Sequence, residues 1–231
     1  MGVPVLVMGY SGSGKSYSLH DFNPGEIGIF SVAGKRLPFK TALKSANMEV
    51  IQAKAIAAEK QYNPYVFIRA TMLQSPLRAF AIDDSQYLMS FEEMDSSLKG
   101  YDKFNSIGFN FVGLVRFIRS SLPEDVIVYF LHHPEQTDDG RVKPKTIGKL
   151  IDNHYTLEGL FEITIMAAYK DNAYVFLTTT DGFTPFKNPP GMLQDPMEND
   201  LKAVDTAIRD YWGMAPLVDE PEEVDDAQEQ A

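Results

Sequence analysis

The segment Gly9-Tyr10-Ser11-Gly12-Ser13-Gly14-Lys15-Ser16 follows directly on the apolar run Val3–Met8 and constrains the fold more than any other part of the chain. Its spacing, G-x-x-x-x-G-K-[ST], is that of a backbone wrapped around phosphate. Glycines allow turns that aim successive N–H groups inward at phosphate oxygens. Lys15 supplies a positive charge suited to β- and γ-phosphates, and the Ser16 hydroxyl suits magnesium. A helix beginning at Lys15 and running to His20 would point its positive end at the same anion. The residues expected to bind nucleotide are therefore Gly9, Ser11, Gly12, Ser13, Gly14, Lys15, Ser16 and the adjoining Tyr17.

The pattern around this loop alternates strand and helix. Val3–Gly9, Ile27–Val32, Ala79–Ile82 and Val126–Leu131 are short, continuously apolar runs, as expected of strands buried on both faces. A weaker strand is predicted at Glu49–Ala53, with helices around Phe39–Ser45 and Ala55–Gln61; residues 65–74 fit either type. Ile107, Phe111, Leu114, Val115 and Ile118 fall at helical spacing within Ile107–Ser121. Phe161–Ala168 and Ala173–Thr180 flank Tyr169-Lys170-Asp171-Asn172 and predict an antiparallel hairpin. Residues 181–200, with four prolines, read as a surface connection, and a last helix is predicted from about Asn199 to Tyr211. The fold class implied is α/β: a three-layer P-loop core with a mostly parallel sheet and a late antiparallel hairpin.

A phosphate-binding loop of this kind needs a carboxylate at a neighbouring strand end to position magnesium. Phe80-Ala81-Ile82-Asp83-Asp84 offers Asp83, with Ser16, as the metal pair. Asp84 is the candidate catalytic base, one methylene shorter than the glutamate many ATPases carry at that point; Glu92, Glu93 and Glu135 are the alternatives. The run Val126–Leu131 ends in His132-His133, either of which suits a γ-phosphate sensor, with His133 favoured. Residues 141–149 place Arg141, Lys143, Lys145 and Lys149 in nine positions. Lys143 or Lys145 is expected to reach a neighbouring subunit's γ-phosphate. The alternatives are a loop neutralising nucleic-acid phosphates and a merely solvated loop.

Composition narrows the setting. Residues 217–231 hold seven acidic and no basic residues, so this tail carries most of the net charge of −11. The expected organisation is one ATPase domain over residues 1–214 and a disordered acidic tail over 215–231, which could dock a basic protein partner. The rest is too weakly charged to attract nucleic acid through its average field. No cysteine is present, which excludes disulfides and thiolate metal sites. The N-terminal apolar run is too short to span a bilayer, and a cytoplasmic protein without membrane contact is expected.

Five segments together are similar to phage-encoded AAA/RecA-like ATPases of replication and recombination. They are Gly9–Ser16, Val32-Ala33-Gly34-Lys35-Arg36-Leu37-Pro38-Phe39, Ile82-Asp83-Asp84-Ser85-Gln86-Tyr87-Leu88, Gly100-Tyr101-Asp102-Lys103-Phe104 and Lys145-Thr146-Ile147-Gly148-Lys149-Leu150. The resemblance spans about residues 3–212. It implies an ATP- and Mg²⁺-dependent hydrolase acting on single-stranded DNA, in annealing, recombination or replication, as a ring or filament in the host cytoplasm. RecA places its catalytic glutamate after an earlier core strand, where this chain reads Phe30-Ser31-Val32-Ala33-Gly34 without a carboxylate. That departure shifts the catalytic role toward Asp84. Two rival readings are a small-molecule P-loop kinase, with residues 141–149 as a lid, and an ATP-switched loader or adaptor that does not hydrolyse.

Overall fold

The computed structural model describes residues 1–95, 101–147 and 156–217. Its strands are β1 (Val3–Met8), β2 (Ile27–Ser31), β3 (Ser45–Asn47), β4 (Ala79–Asp83), β5 (Ile127–His132), β6 (Pro134–Gln136), β7 (Val142–Pro144), β8 (Ile163–Lys170), β9 (Ala173–Leu177) and β10 (Met197–Glu198). Its helices are α1 (Met48–Ala57), α2 (Pro64–Gln74), α3 (Tyr87–Asp95), α4 (Tyr101–Ser121) and α5 (Leu201–Trp212). Eight strands form one sheet in the order β10-β9-β8-β1-β5-β4-β2-β3. The run from β8 to β3 is parallel throughout, and β9 and β10 add antiparallel strands at one edge. The protein is therefore α/β with a mostly parallel sheet.

Alternation along the central strands divides the core. Leu6, Met8, Phe80, Ile82, Val128 and Phe130 pack with Ile68 of α2, Leu88 of α3 and Phe111 and Ile118 of α4. Val5, Val7, Ala79, Ala81, Tyr129 and Leu131 face the other way, onto Leu19, Phe22 and the α5 residues Leu201, Val204 and Ile208. Both sheet faces are thus covered, which is why these strands read as unbroken apolar runs. Each fully buried aliphatic side chain stabilises the fold by roughly 1.5–3 kcal/mol. Helix α5 is also fixed by a buried polar anchor. Arg209 pairs with Asp205, which accepts the Tyr129 hydroxyl of β5 at 2.8 Å. The Arg209 guanidinium also donates to the carbonyls of Arg78, Asp125 and Ala215.

Several local expectations are corrected. Residues 15–20 do not form an α-helix; a single 3-10 turn, Tyr17–Leu19, follows the glycine-rich loop. Asn23-Pro24-Gly25, with Gly25 at φ +93°, turns the chain before a longer helix develops. Residues 39–44 are irregular, not helical, and the strand lies at Ser45–Asn47 rather than Glu49–Ala53. The latter stretch is helix α1 because the Asn47 side chain caps it, accepting from Val50 N–H at 3.0 Å. That helix ends at Ala57, short of Gln61. Residues 65–74 are helical, opened by an Asn63 cap with Pro64 in the first turn. Strand β9 stops at Leu177, before the expected Thr180, and the 181–200 connection contributes the short β10. Residues 148–150 of the basic segment, Gly100 and residues 218–231 of the acidic tail lie outside the described residues.

Candidate functional site

Parallel strands bring their C-terminal ends to one edge of the sheet, where α/β proteins build their sites. Here Met8 of β1 is level with His132 of β5, and Ser31 of β2 with Asp83 of β4. The glycine-rich loop, Asp83-Asp84 and His132-His133 therefore converge although they lie far apart in sequence. Strand β5 sits between β1 and β4. The residues converge on a cleft of about 520 Å³ lined by Tyr10, Ser11, Gly12, Gly14, Lys15, Ser16 and Tyr17 of the loop, by Asp83, Asp84 and His133, and by Lys35, Arg36, Pro38 and Tyr174; of the residues expected to bind nucleotide, Gly9 and Ser13 do not line it.

The loop is shaped by its glycines. Gly12 and Gly14 hold φ +78° and +99°. A Cβ on Gly9 would run into the Ser13 hydroxyl, and would meet Lys15 Cγ at 2.8 Å and the Ala167 carbonyl at 3.0 Å. Gly9 N–H donates to the His132 carbonyl at 3.1 Å, tying the loop to β5. The Lys15 ammonium folds back onto the loop and donates to the carbonyls of Gly9 at 2.5 Å and Tyr10 at 3.0 Å. Burial pulls Lys15 down to about 8, against the pull of Asp84 and Asp83.

Ser16 and Asp83 meet directly, the hydroxyl donating to the carboxylate at 2.8 Å. Asp83 is buried, which raises its pKa, and the Ser16 hydrogen bond acts the other way. Beside it, Asp84 takes a left-handed backbone conformation, φ +58°. One of its oxygens holds Lys35 Nζ at 2.7 Å and the other holds His133 Nε2 at 3.3 Å. Burial pushes Asp84 upward, but His133 and Lys35 outweigh it and hold the carboxyl well below its usual range. Lys35 is raised, first by its hydrogen bond to Asp84.

His132 does not line the cleft. Its ring is buried, with Nε2 at 2.8 Å from the Lys145 carbonyl and Nδ1 at 2.8 Å from the Ser85 hydroxyl. A carbonyl only accepts, so Nε2 carries the proton and Nδ1 receives one from Ser85. Burial pulls His132 down to about 4, which keeps the ring neutral. Of the two histidines, His133 is the one that reaches the cleft.

Glu92, Glu93 and Glu135 do not line the cleft. Glu92 accepts from Asn110 of α4, and Glu135 pairs with Lys143 at 3.0 Å across the β6–β7 ribbon. Lys143 and Lys145 also lie outside the cleft of their own subunit. Among the described residues no three His, Cys, Asp or Glu side chains group as metal ligands. A Ser–Asp pair does not require such a group, because magnesium takes one or two carboxylates and completes its shell with phosphates and water. No helix among the described residues is long and apolar enough to cross a membrane.

No protein-family model matches the chain, and no curated protein is significantly similar to it.

Lys35, Arg36 and Tyr174 are site residues that the motif reading missed. The first two had a signal: a basic pair placed just after the apolar strand Ile27–Ser31, at the edge where strand ends converge. Tyr174 had none beyond its place in the hairpin. Its ring lies 5.6 Å from that of Tyr17 and 5.0 Å from that of Tyr169. It also backs the loop, with Cδ1 at 2.9 Å from where a Gly14 Cβ would stand. The cleft is thus two-ended. Charged groups from the β2, β4 and β5 side occupy one end, and aromatic rings next to the β8–β9 hairpin occupy the other.

Proposed function

We propose that the chain is a magnesium-dependent P-loop ATPase with a RecA/AAA-like core, acting on single-stranded DNA as a homo-oligomer. The observation that carries the reading is the Ser16–Asp83 hydrogen bond at 2.8 Å. It joins the last residue of a G-x-x-x-x-G-K-S loop to a carboxylate two strands away, across the intervening β5. Such a hydroxyl–carboxylate pair is what holds magnesium beside the phosphates in P-loop enzymes.

The residues present fit ATP and Mg²⁺. The loop's N–H groups and Lys15 suit the phosphates, and Ser16 and Asp83 suit the metal. Lys15 is held by two loop carbonyls that a phosphate oxygen outcompetes, since the ammonium then gains a charged acceptor. Magnesium would supply charge neutralisation of the phosphate oxygens. In this reading Asp84 orients water, once one of its two partners withdraws. His133, on the same oxygen pair, is positioned to respond to the terminal phosphate.

A second reading is an ATP-switched adaptor that binds without hydrolysis. It is favoured by Asp84 having a partner on each oxygen and a carboxyl held well below its usual range, which makes it a weak base.

The test is ATP hydrolysis by the full chain with and without magnesium and single-stranded DNA. The expected result is magnesium-dependent turnover, stimulated by DNA, and abolished in Lys15→Ala with the fold retained. Tight binding without turnover selects the switch, and turnover only with a small phosphate acceptor selects a kinase. Normal hydrolysis by Lys15→Ala rejects the P-loop reading.

A further inference from the structure

A second cavity of about 310 Å³ adjoins the nucleotide cleft and shares His133 with it. It is lined by Gln86, Tyr87, Ser90, His133, Lys145 and Ile147 among others. Gln86 is 96% buried, at 4% exposure. Its Oε1 accepts the His133 backbone N–H at 3.2 Å. Because a backbone N–H only donates, this contact fixes the orientation of the amide. The other end, Nε2, is a buried donor with no hydrogen-bond partner. An unmet buried donor is costly to leave unpaired, so it marks a place where a ligand's acceptor is due.

The cavity's charge points the same way. Lys145 is exposed, and its ammonium has no ion-pair partner among the described residues. Its backbone is nevertheless anchored at both groups, N–H to the His133 carbonyl at 2.9 Å and carbonyl to His132 Nε2 at 2.8 Å. The nearby carboxylates are already engaged, Asp84 by Lys35 and His133, and Glu135 by Lys143. What remains, among the described residues, are two donors without a partner, Gln86 Nε2 and Lys145 Nζ; the Ser90 hydroxyl already donates to the Gln86 carbonyl at 3.5 Å.

We propose that this cavity binds a phosphate-type oxyanion, with Gln86 and Lys145 as its ligands, and that the source is the phosphodiester backbone of a single-stranded polynucleotide. The binding stands apart from the nucleotide reading. Its polynucleotide source and its link to hydrolysis, through His133 and its contact with Asp84, rest on the proposed function.

The experiment uses the full chain without nucleotide. Fluorescence anisotropy of labelled oligothymidylate is measured for the wild type, Gln86→Glu and Lys145→Ala. Gln86→Glu keeps the acceptor for His133 N–H and replaces the unmet donor with a repelling oxygen. Both variants should bind at least tenfold more weakly, and the Gln86 side-chain amide resonance should shift in the wild type. If inorganic phosphate shifts that resonance but the oligonucleotide does not bind, the pocket stands with free phosphate as its source. Should Gln86→Glu lose its fold by circular dichroism, Ser90→Asp carries the same expectation. Weakening in Lys145→Ala with full affinity in Gln86→Glu would reduce the effect to surface attraction and overturn the proposal. Absence of binding and of any amide shift in the wild type would overturn it too.

Discussion

Asp84 is held in a backbone conformation that non-glycine residues rarely adopt, with Lys35 and His133 on its two oxygens. The two partners are not equally mobile. Lys35 sits in a loop with its side chain 60% exposed, whereas His133 follows β5 directly and has its N–H fixed by Gln86. Under the proposed function, Lys35 is therefore the partner that an incoming triphosphate would draw away. Lys35→Ala should keep ADP affinity within about twofold and lose ATP affinity by about tenfold, the scale of one charge-assisted hydrogen bond. Equal losses for both nucleotides, by calorimetric titration, would place Lys35 away from the terminal phosphate. His132 carries a different expectation. Its folded pKa of about 4 lies below the ordinary histidine value of 6.5, so the unfolded chain takes up the proton first as pH falls. Stability is full above 6.5 and declines between 6.5 and 4, by about 3 kcal/mol for this group. In His132→Gln, urea midpoints should change less between pH 7 and pH 5 than in the wild type. An identical slope would show that His132 is not the titrating group.

The β8–β9 hairpin supplies the aromatic end of the cleft. Tyr174 and Tyr17 are 41% and 38% exposed there, with their rings 5.6 Å apart, a large apolar area for a site otherwise built from charge. A nucleobase stacked on these rings would gain roughly 1–3 kcal/mol per aromatic contact. Tyr174→Ala should weaken ATP binding by that amount and leave tripolyphosphate binding unchanged; equal losses would mean the ring only supports the loop at Gly14. What the sequence disclosed about these elements follows from how each is stabilised. Strands β1, β2, β4 and β5 were legible because burial on both faces leaves uninterrupted apolar runs. The hairpin was legible from its turn and flanking runs. Helix α1 was misread because Met48 is its one buried residue, so it lacks an amphipathic stripe and rests on the Asn47 cap. The helix expected after Lys15 fails because residues 21–25 turn the chain. Asp83 and the loop were readable from spacing. Lys35 and the Gln86 pocket depend on which loops the crossovers bring together, and no local pattern encodes that.

At the scale of the molecule, the sheet order β8-β1-β5-β4-β2 decides the chemistry. It puts β5 between the loop-bearing strand and the Asp83 strand, and so places His133 beside Asp84 and Lys145 behind them. The cleft at the glycine-rich loop and the Gln86 cavity consequently meet at one strand end, where both are lined by His133. The central claim is that Lys15, Ser16 and Asp83 together hold a magnesium-bound nucleoside triphosphate. Its most direct test is isothermal titration of ATP into the full chain with and without magnesium, for the wild type, Lys15→Ala and Asp83→Asn. Magnesium should strengthen binding to the wild type, Asp83→Asn should lose that gain while keeping magnesium-free binding, and Lys15→Ala should bind poorly in both conditions. Magnesium-independent affinity that is unchanged in both variants would contradict the account.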